Sequence, residues 1–133
     1  MFKVAKTIYF NYGHRLMGGH DKCSRLHGHS ARVEIEMSSP KLDRQGMVVN
    51  FFDIRKTIGD WIEKNLDHRM ILSETDPLAG LLRKAGELVV TVKGNPTAEV
   101  LAEKIFCAAK RMKLPVSKVT LWENQDSFAV YEK

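Results

Sequence analysis

The stretch Cys23-Ser-Arg-Leu-His27-Gly-His29-Ser-Ala-Arg-Val-Glu-Ile-Glu-Met37-Ser38 decides the fold, and the chain is read outward from it. From Ser30 to Ser38 the alternation is strict, with Val33, Ile35 and Met37 set against Arg32, Glu34 and Glu36. Successive side chains of an extended chain point to opposite faces, so this pattern predicts a half-buried β-strand. The His-Gly-His segment runs directly into it. If that segment is extended too, His27 and His29 present two imidazoles on one face. His14, from a neighbouring segment, supplies a third. Three neutral nitrogens around one free position make an open zinc site, suited to catalysis rather than to stapling. Cys23 is either a fourth ligand that closes the site or a thiol working beside it.

Upstream, Phe2, Val4, Ile8 and Phe10 alternate, with Lys6 as the exception, which predicts a strand over residues 2–10. The glycine-rich stretch from Asn11 to Asp21 reads as loop. Downstream, Ser38–Pro40 and Leu42–Gly46 are turn material, and Met47–Val49 is a short apolar continuation. After Asn50 the period changes. Ile54, Ile58, Trp61 and Ile62 predict a helix ending near Asn65, with Asp53 capping it or complementing its N-terminus. Leu66–Arg69 reads as a connection. Asp76-Pro77 starts a short helix that stops by Gly86, and Leu88–Val92 is a brief apolar run fit for a minor strand. Asn95-Pro-Thr97 opens a second long helix carrying Leu101, Ile105, Ala108, Ala109 and Met112 on one face. Strands over 117–123 and 128–132, joined by the turn Asn124–Ser127, close the chain. Residues 1–133 are thus expected to form one α+β domain: a four-stranded antiparallel sheet with two long helices on one face. Its two sheet edges carry no blocking feature apart from Lys6, so assembly through sheet edges is expected.

The totals narrow the function classes. With 44% apolar and 28% charged residues the composition is that of an ordinary soluble globular protein. No run of eighteen apolar residues occurs, and the segment Met1–Lys6 has no apolar core of a secretory signal, so neither membrane insertion nor export is expected. Two cysteines make no disulfide framework, which fits the cytoplasm. The net charge of +5 suits an anionic small molecule. The basic residues are scattered without a block of five, which argues against nucleic acid.

Several separated motifs then occur in one order: Phe10–Leu16 with His14, Cys23-Ser-Arg-Leu-His27-Gly-His29, Gly46-Met-Val-Val-Asn50-Phe, Leu66-Asp67-His68, Asn95-Pro-Thr97-Ala-Glu99 and Trp122-Glu123. In that order the chain resembles the 6-pyruvoyltetrahydropterin synthase / 6-carboxytetrahydropterin synthase family along nearly its whole length. The three-residue gap between Cys23 and His27 resembles the 6-carboxytetrahydropterin branch, which serves 7-deazaguanine and queuosine biosynthesis. The resemblance implies a tunnelling fold (T-fold) whose subunits pair sheet edges into a ring, usually a trimer, with two rings stacked into a hexamer. It implies Zn2+ on His14, His27 and His29, Cys23 as the catalytic thiol, and Asp67 and His68 as acid/base partners contributed across a subunit boundary. It also implies Glu123 as the anchor of a pterin ring, with Thr97 and Glu99 nearby, and 7,8-dihydroneopterin triphosphate as substrate. The chain departs from the family pattern at Asn11-Tyr-Gly, where a small Ala-Ala pair is common, at Asn50 in place of aspartate, and at Val100 in place of asparagine.

The residue types suit that chemistry. A thiol near zinc or histidine ionises more easily and can take a proton near neutral pH. Glu123 shares a strand face with Val119 and Leu121, a costly place for a carboxylate without a partner. The N–H edge of a pterin offers two parallel donors to it. Lys22 and Arg25 flank the thiol as candidate phosphate contacts. His20 reads as a solvated loop residue and Cys107 as a buried, inert thiol. Two rival readings remain at this point: formation of 6-pyruvoyltetrahydropterin without carbon–carbon cleavage, and a non-catalytic zinc-binding module closed by Cys23.

Overall fold

A computed structural model describes the whole chain, residues 1–133. Strand β1 (Phe2–His14) leads through a 3-10 turn (Lys22–Ser24) to β2 (His27–Ser39). A continuous helix follows in three parts: α1 (Phe51–Ile54), a π-helical segment (Arg55–Gly59) and α2 (Asp60–Asn65). Then come β3 (Arg69–Ser73), α3 (Pro77–Lys84), β4 (Val89–Val92), α4 (Ala98–Arg111), β5 (Val116–Trp122) and β6 (Phe128–Glu132).

The strands form one six-stranded sheet in the order β4-β3-β1-β2-β5-β6. The expected antiparallel four, β1-β2-β5-β6, are its larger part. The expectation of four strands and of a purely antiparallel sheet is corrected: β3 pairs parallel with β1, and β4 parallel with β3. Strand β3 escaped the sequence reading because Ile71 and Leu72 are both fully buried, so neither face is polar and no alternation marks it. A second correction concerns residues 11–14, expected as loop but forming the end of β1, paired through to His14↔His27. The glycines there serve close approach rather than flexibility. A side chain on Gly13 would meet the Met70 thioether at 2.7 Å, and one on Gly28 the Tyr12 carbonyl oxygen at 3.1 Å.

One face of the sheet is apolar and covered by the helices. Ile8, Phe10 and Tyr12 of β1, Ala31, Val33, Ile35 and Met37 of β2, and Val119 and Leu121 of β5 are all buried. A register shift at Glu36/Met37 turns Val116 inward as well. Ile54, Ile58 and Ile62, at i, i+4 and i+8, present one stripe of the first helix to this face. Leu101, Ala102, Ile105, Phe106, Ala108 and Ala109 do so from α4. Asn50 caps the first helix by accepting from the Phe52 N–H at 2.8 Å, while Asp53 sits in its first turn. Asp76 caps α3 and Thr97 caps α4. Met47–Val49 form no strand. No helix is long and apolar enough to cross a membrane.

Candidate metal centre

The site is the polar end of the same face that carries the core. Register places His14 opposite His27 and Tyr12 opposite His29, and all four continue the inward alternation of Ile8, Phe10, Ala31 and Val33. Three imidazoles therefore converge because two adjacent strands keep their pleat to the end. His14 is 2% exposed. Its Nε2 lies 3.0 Å from His27 Nε2 and 3.1 Å from His29 Nε2.

Backbone carbonyls select the tautomers. His14 Nδ1 donates to the Pro96 carbonyl at 2.8 Å, and His27 Nδ1 to the Arg25 carbonyl at 2.7 Å. Their Nε2 atoms are thereby left as bare lone pairs aimed at one another. Burial pushes the His14 imidazolium below its ordinary pKa, and the neighbouring imidazoles add to that, so the ring stays neutral. Lone pairs this close repel unless a cation lies among them. Nitrogens about 2.0–2.1 Å from a shared tetrahedral zinc stand roughly 3.3 Å apart, close to the spacing found. Carbonyl acceptors on the far ring nitrogens are the usual support of metal-binding histidines. The donor set fits zinc.

The site is open. The His14, His27 and His29 ligand atoms all lie within 4.8 Å of one another, and Cys23 does not join them. Cys23 is exposed, on the 3-10 turn capped by Asp21. Its N–H donates to Asp21 Oδ1 at 3.0 Å. The closed four-ligand module is not the arrangement formed. His20 also stays outside the trio. Cys107 is half-buried rather than fully buried.

Glu123 follows β5 directly and turns toward the trio, its oxygens 4.0 Å from His14 Nε2 and 3.8 Å from His29 Nε2. Tyr12 donates its hydroxyl to Glu123 Oε1 at 3.3 Å. Burial, then the Glu123 charge, push the Tyr12 phenol far above its ordinary pKa, so it remains a donor. Thr97, Glu99 and Glu123 line one cavity of about 310 Å³.

Asp67 and His68 stand outside the cavity of Thr97, Glu99 and Glu123. Asp67 Oδ1 accepts from the Asn11 N–H at 2.9 Å, and the His68 N–H donates to the Asn11 carbonyl at 2.7 Å, docking the pair on β1. Asp67 Oδ2 lies 2.9 Å from His68 Nδ1 and orients that ring. Burial works against the Asp67 charge, but the Asn11 N–H and His68 outweigh it and hold its pKa below the usual carboxylate value. His68 has a left-handed backbone, φ 55°, and an exposed side chain. With Asn11, Tyr12, His27, His29 and Ser30 it lines a cavity of about 640 Å³. Within one chain, Cys23 and His68 are not brought together: no hydrogen bond links them, and Cys23 lines neither cavity.

The contacts that brace the site carried no local sequence signal. Asn95 receives the Met17 N–H on Oδ1 at 2.8 Å and donates Nδ2–H to the Met17 carbonyl at 2.9 Å. The Leu16 N–H donates to the Cys23 carbonyl at 2.8 Å. Arg15 grips the buried Asp76 with two charge-assisted bonds. The loop bearing Cys23 is thus pinned to the N-termini of α3 and α4. The tripeptide Asn95-Pro96-Thr97 holds that loop, sets the His14 tautomer and caps α4. Pairing across 78 to 82 positions, as in these contacts, leaves no local pattern to read.

Comparison with known proteins adds an independent line. The family model described as 6-pyruvoyl tetrahydropterin synthase matches residues 3–133. The chain is 34% identical to the 6-carboxy-5,6,7,8-tetrahydropterin synthase of Rickettsia bellii, over 96% of this chain and 98% of that relative. It is 33% identical to the protein of the same name from Haemophilus influenzae, over the full length of both. The structure of Caenorhabditis elegans 6-pyruvoyl tetrahydropterin synthase superposes with a TM-score of 0.73 at 19% identity, covering 99% of this chain and 95% of that one, which shows the shared fold.

Proposed function

Because the chain belongs to the 6-pyruvoyl tetrahydropterin synthase family, we propose that it is a zinc-dependent 6-carboxy-5,6,7,8-tetrahydropterin synthase. On this reading residues 1–133 are one catalytic domain that converts 7,8-dihydroneopterin triphosphate to 6-carboxytetrahydropterin, acetaldehyde and triphosphate, in 7-deazaguanine and queuosine biosynthesis in the cytoplasm. The observation that carries it is the convergence of three imidazoles, two of them with tautomers selected by backbone carbonyls, and no fourth side-chain ligand. The names of the full-length relatives favour the 6-carboxy product.

His14, His27 and His29 hold the metal, and bound zinc supplies Lewis-acid polarisation of the substrate's side-chain hydroxyl oxygens. Glu123 accepts from the ring N–H and 2-amino group of the pterin, a charge-assisted pair that fixes the ring. Thr97 and Glu99, in the same cavity, complete the pterin contacts. Cys23, held by the pinned loop, takes the proton from a hydroxyl-bearing carbon, and His68, oriented by Asp67, returns one. His20, Asp21, Lys22 and Arg25 line a cavity of about 560 Å³ in that loop, where Lys22 and Arg25 offer the triphosphate two cations against the one carboxylate of Asp21.

On this reading Cys23 and His68 meet across a subunit boundary, and the active form is a homo-oligomer, a trimer or a pair of stacked trimers. Strand β6 is an open edge, with Phe128 53% and Val130 43% exposed on it, a surface fit for a second copy. Mass spectrometry of the products from 7,8-dihydroneopterin triphosphate tests the proposal. It predicts 6-carboxytetrahydropterin with equimolar acetaldehyde. A pyruvoyl product alone assigns the chain to the other reaction of the family.

A further inference from the structure

The buried hydroxyl of Tyr12 has one polar partner, Glu123. The Glu123 side chain in turn has one protein donor, and it is Tyr12. The imidazoles beside that carboxylate, His14 at 4.0 Å and His29 at 3.8 Å, stand beyond hydrogen-bond reach of it. His14 also spends its single N–H on the Pro96 carbonyl, so it turns a lone pair, not a proton, toward Glu123. The Tyr12 hydroxyl is thereby the side-chain donor that restrains the carboxylate.

Tyr12 is built to be that donor. Its ring stacks on Phe10, with centroids 5.6 Å apart and planes at 27°. It meets the edge of His14 at 5.1 Å and tilts against His29 at 5.7 Å. With the ring held on three sides and 3% of the residue exposed, the hydroxyl is fixed in space. The backbone of Glu123 is fixed as well, its N–H donating to the Ser127 carbonyl at 3.1 Å.

We infer that Tyr12 is a positioning residue for substrate: it orients the Glu123 carboxylate and so sets how tightly the pterin ring is held. The inference rests on the pterin reading of the Glu123 site given above. One Oε1 lone pair is committed to Tyr12, leaving the other and both on Oε2 for the two N–H groups of the ring edge. Tyr12 touches no reacting atom, and its removal acts on ring binding, not on proton transfer at the side chain.

The test is Tyr12→Phe, which keeps the ring and removes only the hydroxyl, together with Glu123→Gln and the double variant. Neopterin, which lacks the triphosphate, is the binding probe by calorimetry, and 7,8-dihydroneopterin triphosphate is the kinetic substrate. A hydrogen bond to a charged group predicts that Tyr12→Phe weakens neopterin binding and raises KM by about tenfold, with kcat within about twofold of the parent. Zinc content is unchanged. Adding Tyr12→Phe to Glu123→Gln then has little further effect, because the group being oriented has lost its charge. Parent-like KM in Tyr12→Phe, independent multiplication of the two effects, or loss of zinc from Tyr12→Phe overturns the inference. Failure of the parent protein itself to bind neopterin overturns the pterin reading, and this inference with it.

Discussion

Asn95 and Met17, 78 positions apart, exchange two hydrogen bonds, and this ring ties the loop carrying Cys23 to the start of α4. Net hydrogen-bond contributions near 1 kcal/mol each put the cost of Asn95→Ala at about 1–3 kcal/mol. Urea unfolding measures that loss. Hydrogen exchange of the Met17 amide, which donates to Asn95, speeds up in the variant. Turnover drops beyond the stability loss, because the thiol is no longer held in place; unchanged exchange at Met17 would contradict the assignment.

Cys23 and the histidines separate catalysis from metal binding. Cys23→Ala loses turnover by a factor of about 10² or more, the usual scale for an acid/base group. Since Cys23 stands outside the trio, the variant keeps its metal. Parallel assays of rate and bound zinc check both statements.

His68 holds a left-handed backbone at φ 55°, a conformation that costs a non-glycine residue on the order of 1 kcal/mol. Asparagine tolerates that region better. His68→Asn is expected to match or exceed the parent in melting temperature while losing most of its activity. A variant that is both unstable and inactive would show that His68 is a structural residue only.

Asp76 sets a pH dependence. The Arg15 guanidinium holds its carboxyl below the usual carboxylate value against the opposing effect of burial. A folded pKa below the unfolded value near 3.9 means the contribution is fully present above that pH. It is lost as pH falls through the folded pKa. Asp76→Asn therefore lowers stability at neutral pH by about 2–3 kcal/mol, and the gap from the parent narrows below about pH 4. Urea midpoints measured from pH 7 down to pH 3 check the direction.

Much of this molecule was legible in its sequence. Strict alternation over Ser30–Ser38 predicted β2, and the isoleucine stripe after Asn50 predicted the first helix to its end at Asn65. Both patterns arise because one face of each element meets the core and the other meets water. Where that asymmetry fails, the sequence is silent: β3 is buried on both faces, and the end of β1 was hidden by a glycine that makes room for Met70. The three converging histidines were readable because His27 and His29 alternate on one strand. Pro96, Arg25 and Asn95 act through backbone or amide groups across long separations, and nothing in their identity reports that. Tyr12 stood out only as an unusual residue before His14, and its bond to Glu123 depends on strand register.

The central claim is an open site in which three imidazoles hold one cation, and metal content of the purified protein tests it most directly. Elemental analysis should find one zinc per chain in the parent and in Cys23→Ala, and less than a tenth of that in His27→Ala. Absence of stoichiometric metal in the parent, or its loss on replacing Cys23, would contradict the account.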